Sequence, residues 1–189
     1  FMDGEVRDYP LEIQHKEGYI TPVLYNASVY RDENGKIIGV FAAARDITES
    51  IKAKEKIQIL ANAVESSDDA IITKSLDGVI TSWNRGAEQV YGYSAEEILG
   101  KNTSILEPST LNGETEKLVE LIKRGKEIHN YETSRLRKDG TIINVSITLS
   151  PIFDLSGKLT AISSIVRDIT ESKIAEEKLK ESEEKYRNI

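Results

Sequence analysis

The side chains that could support catalysis stand in adjacent pairs along the chain. Glu96 with Glu97, and Asp68 with Asp69, are paired carboxylates, the residue type that general acid–base catalysis uses. The first pair falls at an expected helix start and the second in a loop, so we interpret both as structural charges. The serines nearby have no histidine close in sequence to act as a base. We therefore predict no catalytic residue and no enzyme activity in this chain.

Metal and thiol chemistry are not indicated either. The chain has no cysteine, which excludes disulfides, thiolate catalysis and cysteine-ligated zinc or iron–sulfur clusters. Its two histidines are His15 and His129. Both fall on expected strands, where a lone histidine is better explained as a surface residue than as a ligand. We predict no metal site.

Composition narrows the class of protein. The chain has 189 residues, 39% hydrophobic and 30% charged, which is typical of a globular protein. Its formal net charge of -7 argues against binding to nucleic acid or to an anionic membrane surface. No apolar run approaches the roughly 20 residues that span a bilayer, and the first residues do not resemble a signal peptide. We predict a cytoplasmic location and no membrane contact.

An internal repeat defines the organisation of the chain. Residues 15–50 align without a gap on residues 137–172, with 14 identities in 36 pairs and a shared final hexapeptide, RDITES. The second copy follows about 70 further residues of structured-looking sequence, whereas almost nothing precedes the first. We expect a piece of a longer tandem array. The expected parts are a C-terminal half domain (1–49), a linker helix (50–66), a complete domain (67–172) and a helix leading to a further domain (173–189).

The complete domain should be α+β. Residues 70–76 and the stretch after the Asp77-Gly78 turn predict a hairpin. Asn84 should cap one helix, Ser94 with Glu97 should form a capping box, and a longer helix is expected over 113–124. Three strands follow, of which the second alternates apolar and polar residues from 143 to 150. The prediction is a five-stranded antiparallel sheet with helices on one face, plus a three-stranded half copy and linker helices.

Both linker stretches carry an apolar stripe with coiled-coil spacing. The predicted dimer positions are Ala53, Ile57, Leu60 and Val64 in the first stretch, and Leu179 and Tyr186 in the same register of the second. Such stripes predict short parallel coiled coils and a homodimer. The alternative is that each stripe docks on its own domain.

Each copy ends at a predicted strand-to-helix joint. Asp46 with Glu49, and Asp168 with Glu171, have capping-box spacing. Arg45 and Arg167 come directly before these aspartates and should pair with them or with a neighbouring carboxylate. A rigid joint of this kind would let movement of the last strand rotate the helix. The alternative is a helix start with no further role.

Two segments carry a family resemblance. ITSWNRGAEQVYGYSAEEILGKN resembles the N-terminal signature of PAS domains, and RKDGTIINVSITLSPIFDLSGKLTAISSIVRDITE resembles their C-terminal PAC part. RDIT followed by a helix rich in Glu and Lys resembles the exit joint of PAS domains in sensor histidine kinases and related two-component regulators. The resemblance covers most of the chain. It implies a PAS fold and a part in signal transduction, with neighbouring PAS and output domains of the same protein as partners.

The resemblance also assigns roles to residues. The signal-transmitting residues it implies are Asp168, Ile169 and Thr170 after Arg167, and Asp46, Ile47 and Thr48 after Arg45. Flavin-binding light sensors of the family use a reactive cysteine, and haem-binding members place a histidine on the long helix. This chain has neither feature, so the cofactor remains open.

The sequence predicts a sensory module with a cavity between the sheet and the helices. The predicted pocket residues are Ile72, Trp83, Leu118, Ile122, Tyr131, Val145, Ile147, Ser164 and Val166. The module would sense a small ligand, or relay a conformational signal, through sheet-to-helix coupling to an output such as a histidine kinase. The alternative is a ligand-free protein–protein dimerisation or spacer module.

The half domain should expose an apolar sheet face. Val23, Tyr25 and Phe41 need cover if only three strands are present. We predict that this half packs against another chain or against the linker helix.

Overall fold

The computed structural model describes residues 4–187, except for the side chain of Tyr186. It divides into two compact units, Phe1–Ala61 and Asn62–Ile189. Among the described residues, no helix combines the length and the apolar character needed to cross a bilayer. The first unit contains strands β1 (Glu5–Gln14), β2 (Ile20–Arg31) and β3 (Ile37–Asp46), and most of helix α1 (Thr48–Glu65).

The second unit begins with the last residues of α1 and contains five strands and four further helices. In chain order these are β4 (Ala70–Ser75), β5 (Ile80–Trp83), α2 (Arg85–Tyr91), α3 (Ala95–Ile98), two 3₁₀ turns (Thr103–Leu106 and Ser109–Leu111), α4 (Glu114–Lys123), β6 (Ile128–Leu136), β7 (Ile142–Phe153), β8 (Leu159–Asp168) and α5 (Thr170–Arg187). The sheet order is β5-β4-β8-β7-β6, with every pair antiparallel. The predicted α+β fold with a five-stranded antiparallel sheet is confirmed.

The alternation in β7 places one face of that strand in the core. Ile143, Val145, Ile147 and Leu149 are each less than 5% exposed, because residues two apart in a strand point to the same side of the sheet. They join one apolar cluster with the buried apolar residues of α4, namely Leu118, Val119 and Ile122. The helices thereby cover the sheet face that the strands make apolar.

The predicted helix caps are confirmed. The Asn84 side chain accepts a hydrogen bond from the N–H of Ala87 and caps α2. Ser94 and Glu97 form the reciprocal capping box of α3. The longer helix predicted over 113–124 is α4, Glu114–Lys123. Local sequence chemistry therefore fixes where these helices begin.

Asn84 also joins three segments of the second unit. Its Oδ1 accepts from the N–H of Ile71 (2.8 Å) as well as from Ala87 (2.9 Å). Its Nδ2 donates to the carbonyl of Val64 (2.9 Å) and to that of Asp69 (3.2 Å). The side chain is 2% exposed, so it ties the end of α1, the start of β4 and the start of α2 together away from water.

The backbone before β4 passes so close to α2 that position 86 requires a glycine. A Cβ at Gly86 would lie 2.3 Å from the carbonyl oxygen of Asp69 and 2.6 Å from that of Ser67. Both atoms belong to the backbone, so neither can move aside as a flexible side chain would. The segment before β4 can pack on α2 only because position 86 has no side chain.

The first unit is a three-stranded antiparallel sheet in the order β1-β2-β3. Val23, which was expected to need cover, is 3% exposed. Phe41 is 68% exposed, and Tyr25 is half-buried. Helix α1 has no buried residue, so the expectation that this helix covers the sheet is wrong. Packing of this sheet against another chain stays a prediction.

Replacing Asn84 tests its role in the second unit. Asn84→Ala leaves the buried N–H groups of Ile71 and Ala87 without their acceptor, so the free energy of unfolding should fall by about 2–4 kcal/mol. Asn84→Asp keeps an acceptor but turns an anionic oxygen toward two carbonyls. This variant should be unstable at pH 7 and partly recover near pH 4, where a protonated acid can donate.

Urea unfolding followed by the fluorescence of Trp83, the only tryptophan, measures both effects within the second unit. Asn112→Ala, at an exposed asparagine, is the control and should change the midpoint little. Wild-type stability in Asn84→Ala would contradict the assigned role.

Candidate ligand cavity and exit joint

A small cavity lies between the sheet and α4 in the second unit. Its volume is about 30 Å³, roughly two to three times the minimum of about 10–15 Å³ that one water molecule needs by the same measure. Strands β4, β6, β7 and β8 supply one wall, and α2, α4 and the first 3₁₀ turn supply the other. The lining residues are Ile72, Lys74, Tyr91, Thr103, Leu106, Thr115, Leu118, Arg135, Ile147, Leu149, Ser164 and Val166.

The structure brings five of the nine predicted pocket residues to this cavity, namely Ile72, Leu118, Ile147, Ser164 and Val166. The other four lie elsewhere. Ile122 and Val145 are buried in the apolar core. Trp83 packs near Tyr91 and its Nε1 donates to the carbonyl of Tyr93 (3.0 Å). Tyr131 is 39% exposed at the edge strand, where its hydroxyl donates to Glu114 (3.0 Å).

Sequence reasoning missed the charged residues of the cavity. Lys74 and Arg135 are each 5% exposed, although lysine and arginine are almost never fully buried unless paired. A signal for both was present in the strand period. Lys74 lies two residues after Ile72 on β4, and Arg135 lies four residues after Tyr131 on β6, so each follows the inward positions of its strand.

Arg135 is held by a carboxylate from the first turn of α4. Its Nη1 donates to Glu114 Oε2 at 2.6 Å, and Glu114 also accepts from the hydroxyl of Thr133 (3.0 Å). Burial acts to raise the pKa of Glu114, but hydrogen bonding to Arg135 and its positive charge outweigh burial, and the pKa lies below its usual value. This buried pair fixes the beginning of α4 to the edge strand β6.

A second buried carboxylate, Glu107, caps α4. It accepts from the N–H of Gly113 (3.0 Å) and from the N–H of Thr115 (2.5 Å). Gly113, the N-cap residue, has no side chain to do this. These two N–H groups have no acceptor within the helix, so they donate to Glu107 instead. The positive end of the helix dipole also favours a carboxylate at this position.

Lys74 and Ser164 are two cavity groups that lack such partners. Within residues 4–187, no side-chain hydrogen bond or ion pair reaches the Lys74 ammonium, and the buried Ser164 Oγ has no hydrogen-bond partner. Burial and, to a smaller extent, the charge of Arg135 lower the pKa of Lys74 to about 8, against the opposing effect of Glu107 and Glu116. Lys74 and Ser164 thus line the cavity with polar groups that a bound molecule could hydrogen-bond.

The exit joint joins β8 to α5 by hydrogen bonds around Asp168. Its Oδ1 accepts from the N–H of Thr170 (2.9 Å) and its Oδ2 from Arg137 Nη2 (2.7 Å). The N–H of Ile169 donates to the carbonyl of Asn144, and the N–H of Asn144 donates to Thr170 Oγ1, both at 2.9 Å. The aspartate bond reaches two residues ahead rather than the three of the predicted capping box.

Arg167 takes the second of its two predicted alternatives. It binds the neighbouring carboxylate of Asp69 with two hydrogen bonds, from Nε to Oδ1 (3.0 Å) and from Nη2 to Oδ2 (2.8 Å). Hydrogen bonding to Arg167 lowers the pKa of Asp69. Because Asp69 immediately precedes β4, this pair holds the end of β8 against the start of the neighbouring strand.

The half copy has a simpler joint. Asp46 Oδ1 accepts from the N–H of Thr48 (2.8 Å), and the N–H of Ile47 donates to the carbonyl of Pro22 (3.1 Å). Pro22 stands at the repeat position of Asn144 and has no N–H to donate to Thr48. His15 stands at the position of Arg137, and Arg45 is exposed.

The predicted dimer stripe is exposed along α1. Ala53, Ile57, Leu60 and Val64 are all exposed, with Ile57 at 68%. Leu179 on α5 is 62% exposed. The remaining predicted position, the side chain of Tyr186, lies outside the described residues. The stripe is thus available for contact with a second helix.

Comparison with known proteins identifies a recurring domain. A family model described as PAS domain matches residues 2–49 and 68–171. The chain is 36% identical over 124 residues to two-component system protein A of Emericella nidulans, and 24% identical over 163 residues to sensor protein FixL of Bradyrhizobium diazoefficiens. These alignments cover 65% and 82% of this chain, but 18% and 32% of the relatives.

A solved structure agrees with the sequence comparisons. The PAS domain of a protein from Colwellia psychrerythraea superimposes with a TM-score of 0.57 at 28% identity. The match covers 61% of this chain and 98% of that one. The chain therefore shares the fold of that domain, while it spans less than a third of the length of each of the two curated relatives named above.

The pKa of Lys74 predicts how stability changes with pH. Because the folded value is about 8 and the unfolded value 10.5, the unfolded chain binds more protons between these limits. The free energy of unfolding should therefore rise with pH across this window, by up to about 3 kcal/mol. Lys74→Met should lack this rise.

Urea unfolding at pH 7.5 and pH 10 measures the difference. Lys117→Met is the control, because Lys117 is an exposed lysine on α4, a helix that lines the cavity. This variant should keep the wild-type pH dependence. An identical pH dependence in Lys74→Met and wild type would contradict the burial of that charge.

Proposed function

The chain belongs to the PAS domain family, and we propose that its complete domain is a sensory module whose cavity is coupled by β8 to α5. One observation carries the proposal. Ser164 and Val166 line the cavity, and Asp168, the next position on the same face of β8, is the last residue of that strand and accepts from the N–H of Thr170, the first residue of α5. The cavity wall therefore lies two to four residues before the end of the strand that leads into α5.

The joint has the connections that transmission needs. Arg137 donates to Asp168, the N–H of Asn144 donates to Thr170, and the N–H of Ile169 donates to the carbonyl of Asn144. These bonds fix the start of α5 to β7 and to the turn before it. Movement of β8 against β7 would therefore change the direction of α5 rather than be absorbed by a loose linker. A ligand can drive such a change only if it binds the two states with different affinity.

The names of the relatives support a signalling role. One is a two-component system protein and the other a sensor protein. We propose that this chain likewise passes its signal to an output domain such as a histidine kinase, beyond α5. We also propose a cytoplasmic location, with residues 1–49 as half of a preceding domain and residues 50–66 as a linker.

A second function is a dimerisation and spacer module without a ligand. The apolar stripe on α1 favours it, since Ile57, Leu60 and Val64 would gain burial in a parallel coiled coil. Dimerisation and sensing are compatible, and we propose a homodimer in either case. The two functions differ in whether a change inside the cavity moves α5.

Coupling can be measured with spin labels, because the chain has no native cysteine. Labels at Glu96→Cys on α3 and Glu177→Cys on α5 use two exposed positions. Ser164→Leu fills the cavity and should shift the distance distribution between the labels, measured by pulsed electron paramagnetic resonance. Labelled chains diluted with an excess of unlabelled chains keep the distances within one protomer.

Two variants make the experiment specific. Ser163→Leu adds the same bulk on the opposite side of β8 and should leave the distribution unchanged. Asp168→Ala, which removes the acceptor for Thr170 and Arg137, should abolish the shift that Ser164→Leu causes. A folded Ser164→Leu protein with the wild-type distribution would refute the coupling.

The dimer has its own test. Ile57→Glu with Leu60→Glu places two charges in the predicted seam and should convert a dimer to a monomer, measured by light scattering after size-exclusion chromatography. Ile59→Glu is the matched control, because Ile59 is 67% exposed but lies off the stripe. Equal masses for the wild type, the double variant and Ile59→Glu would exclude α1 as the dimer contact.

A further inference from the structure

We propose that the cavity binds a small monovalent anion between the Lys74 ammonium and the Ser164 hydroxyl. This inference rests on the proposed sensory function for the place of the ligand and adds its chemical class. Lys74 and Ser164 are both 5% exposed and line the same cavity.

The strand register brings the two groups together. On β4, Ile72 lies opposite Ser164 of β8, and Lys74 lies opposite Ile162. Lys74 and Ser164 are therefore diagonal neighbours on one face of adjacent strands, a separation of about 7–8 Å that a long side chain spans. The ammonium and the hydroxyl can donate to one bound atom or to two atoms of one small ion.

The charges around Lys74 leave it as the cation available to a ligand. The groups that face it are Arg135 from β6, Glu107 from the loop before α4, and Glu116 from α4. Arg135 is paired with Glu114, and the carboxylate of Glu107 accepts from two backbone amides at the start of α4. Glu107 and Glu116 act on the Lys74 charge, but among the described residues neither forms an ion pair with it. A water molecule would satisfy Ser164 but would bring no negative charge into contact with the ammonium.

The cavity limits the size of the anion. A volume of about 30 Å³ accommodates an ion of one to three heavy atoms, whereas pockets for larger organic ligands are about 300–1,000 Å³. Leu106 and Leu118 supply apolar walls, which favour a weakly hydrated single charge over a multiply charged ion. Chloride and formate are the probes that match this description.

Calorimetric titration of the intact chain with sodium formate or sodium chloride tests the proposal. Sodium gluconate, too large for the cavity, keeps the sodium concentration constant. At least one probe should bind saturably with one site per chain, and the comparison distinguishes a carboxylate from a halide. Because burial holds the pKa of Lys74 near 8, a bound anion should cause proton uptake at pH 8.5, seen as a dependence of the heat on the buffer.

Three variants identify the site. Lys74→Met should weaken binding roughly ten- to hundredfold through loss of a charge-assisted hydrogen bond, and Ser164→Ala should weaken it less. Lys117→Met should bind as wild type does. Ser164→Ala is a small change, so it keeps the test decisive if Lys74→Met fails to fold. No saturable binding of either probe, or equal affinity in Ser164→Ala and wild type, would overturn the proposal.

The spin-labelled protein separates this inference from the proposed function. Saturable binding with no change at α5 would support the anion site and refute the coupling. A shift of α5 in Ser164→Leu without binding of either probe would leave the coupling standing and refute the anion site.

Discussion

The buried side chain of Asn84 is the constraint on which the second unit depends. Its four hydrogen bonds join the last turn of α1, the beginning of β4 and the first turn of α2. Without them the segment over Gly86 would have buried backbone groups and no partner for them. The position of α2 in turn decides how the helices cover the sheet. One amide therefore links the helix that leads into the domain with the arrangement of its core.

Asp168 has the corresponding place where the chain leaves the domain, and the two copies of the repeat show what it requires. Both copies keep the aspartate bond to the following threonine amide. The complete copy adds Arg137 and Asn144, whereas the half copy has His15 and Pro22 at those positions. The copies also share a bond from the isoleucine N–H to a carbonyl of the neighbouring strand, and a strand-to-helix turn needs only these two common bonds. The additional bonds tie the joint to β7 and to the turn before it, which suits the proposed transmission of movement.

The polar groups of the cavity differ in how fully they are paired. Glu114 with Arg135, and Glu107 with the amides of α4, are satisfied and fix α4 on the sheet. A satisfied buried pair of this kind gives a defined geometry, although its net contribution to stability is small. Lys74 and Ser164 have no such partners, and Ser164 lies on β8, the strand that leads to the exit joint. A bound ligand would relieve their unfavourable burial, as the proposed sensory function requires.

Local chemistry determined much of this protein from sequence alone. The period of two in β7 and the caps at Asn84 and Ser94 depend on residues close in the chain. The repeat ending in RDITES showed where each copy ends. Together these patterns predicted the fold class and the element order. Tertiary structure decided the rest. Five of the predicted pocket residues reach the cavity, but Lys74 and Arg135 were not foreseen. The alternation along a strand predicts which face of the sheet a residue lies on. It does not predict whether a distant carboxylate or helix dipole stabilises that residue when it is buried. For the same reason only the folded chain shows that Arg167 binds Asp69 while Asp168 binds Arg137.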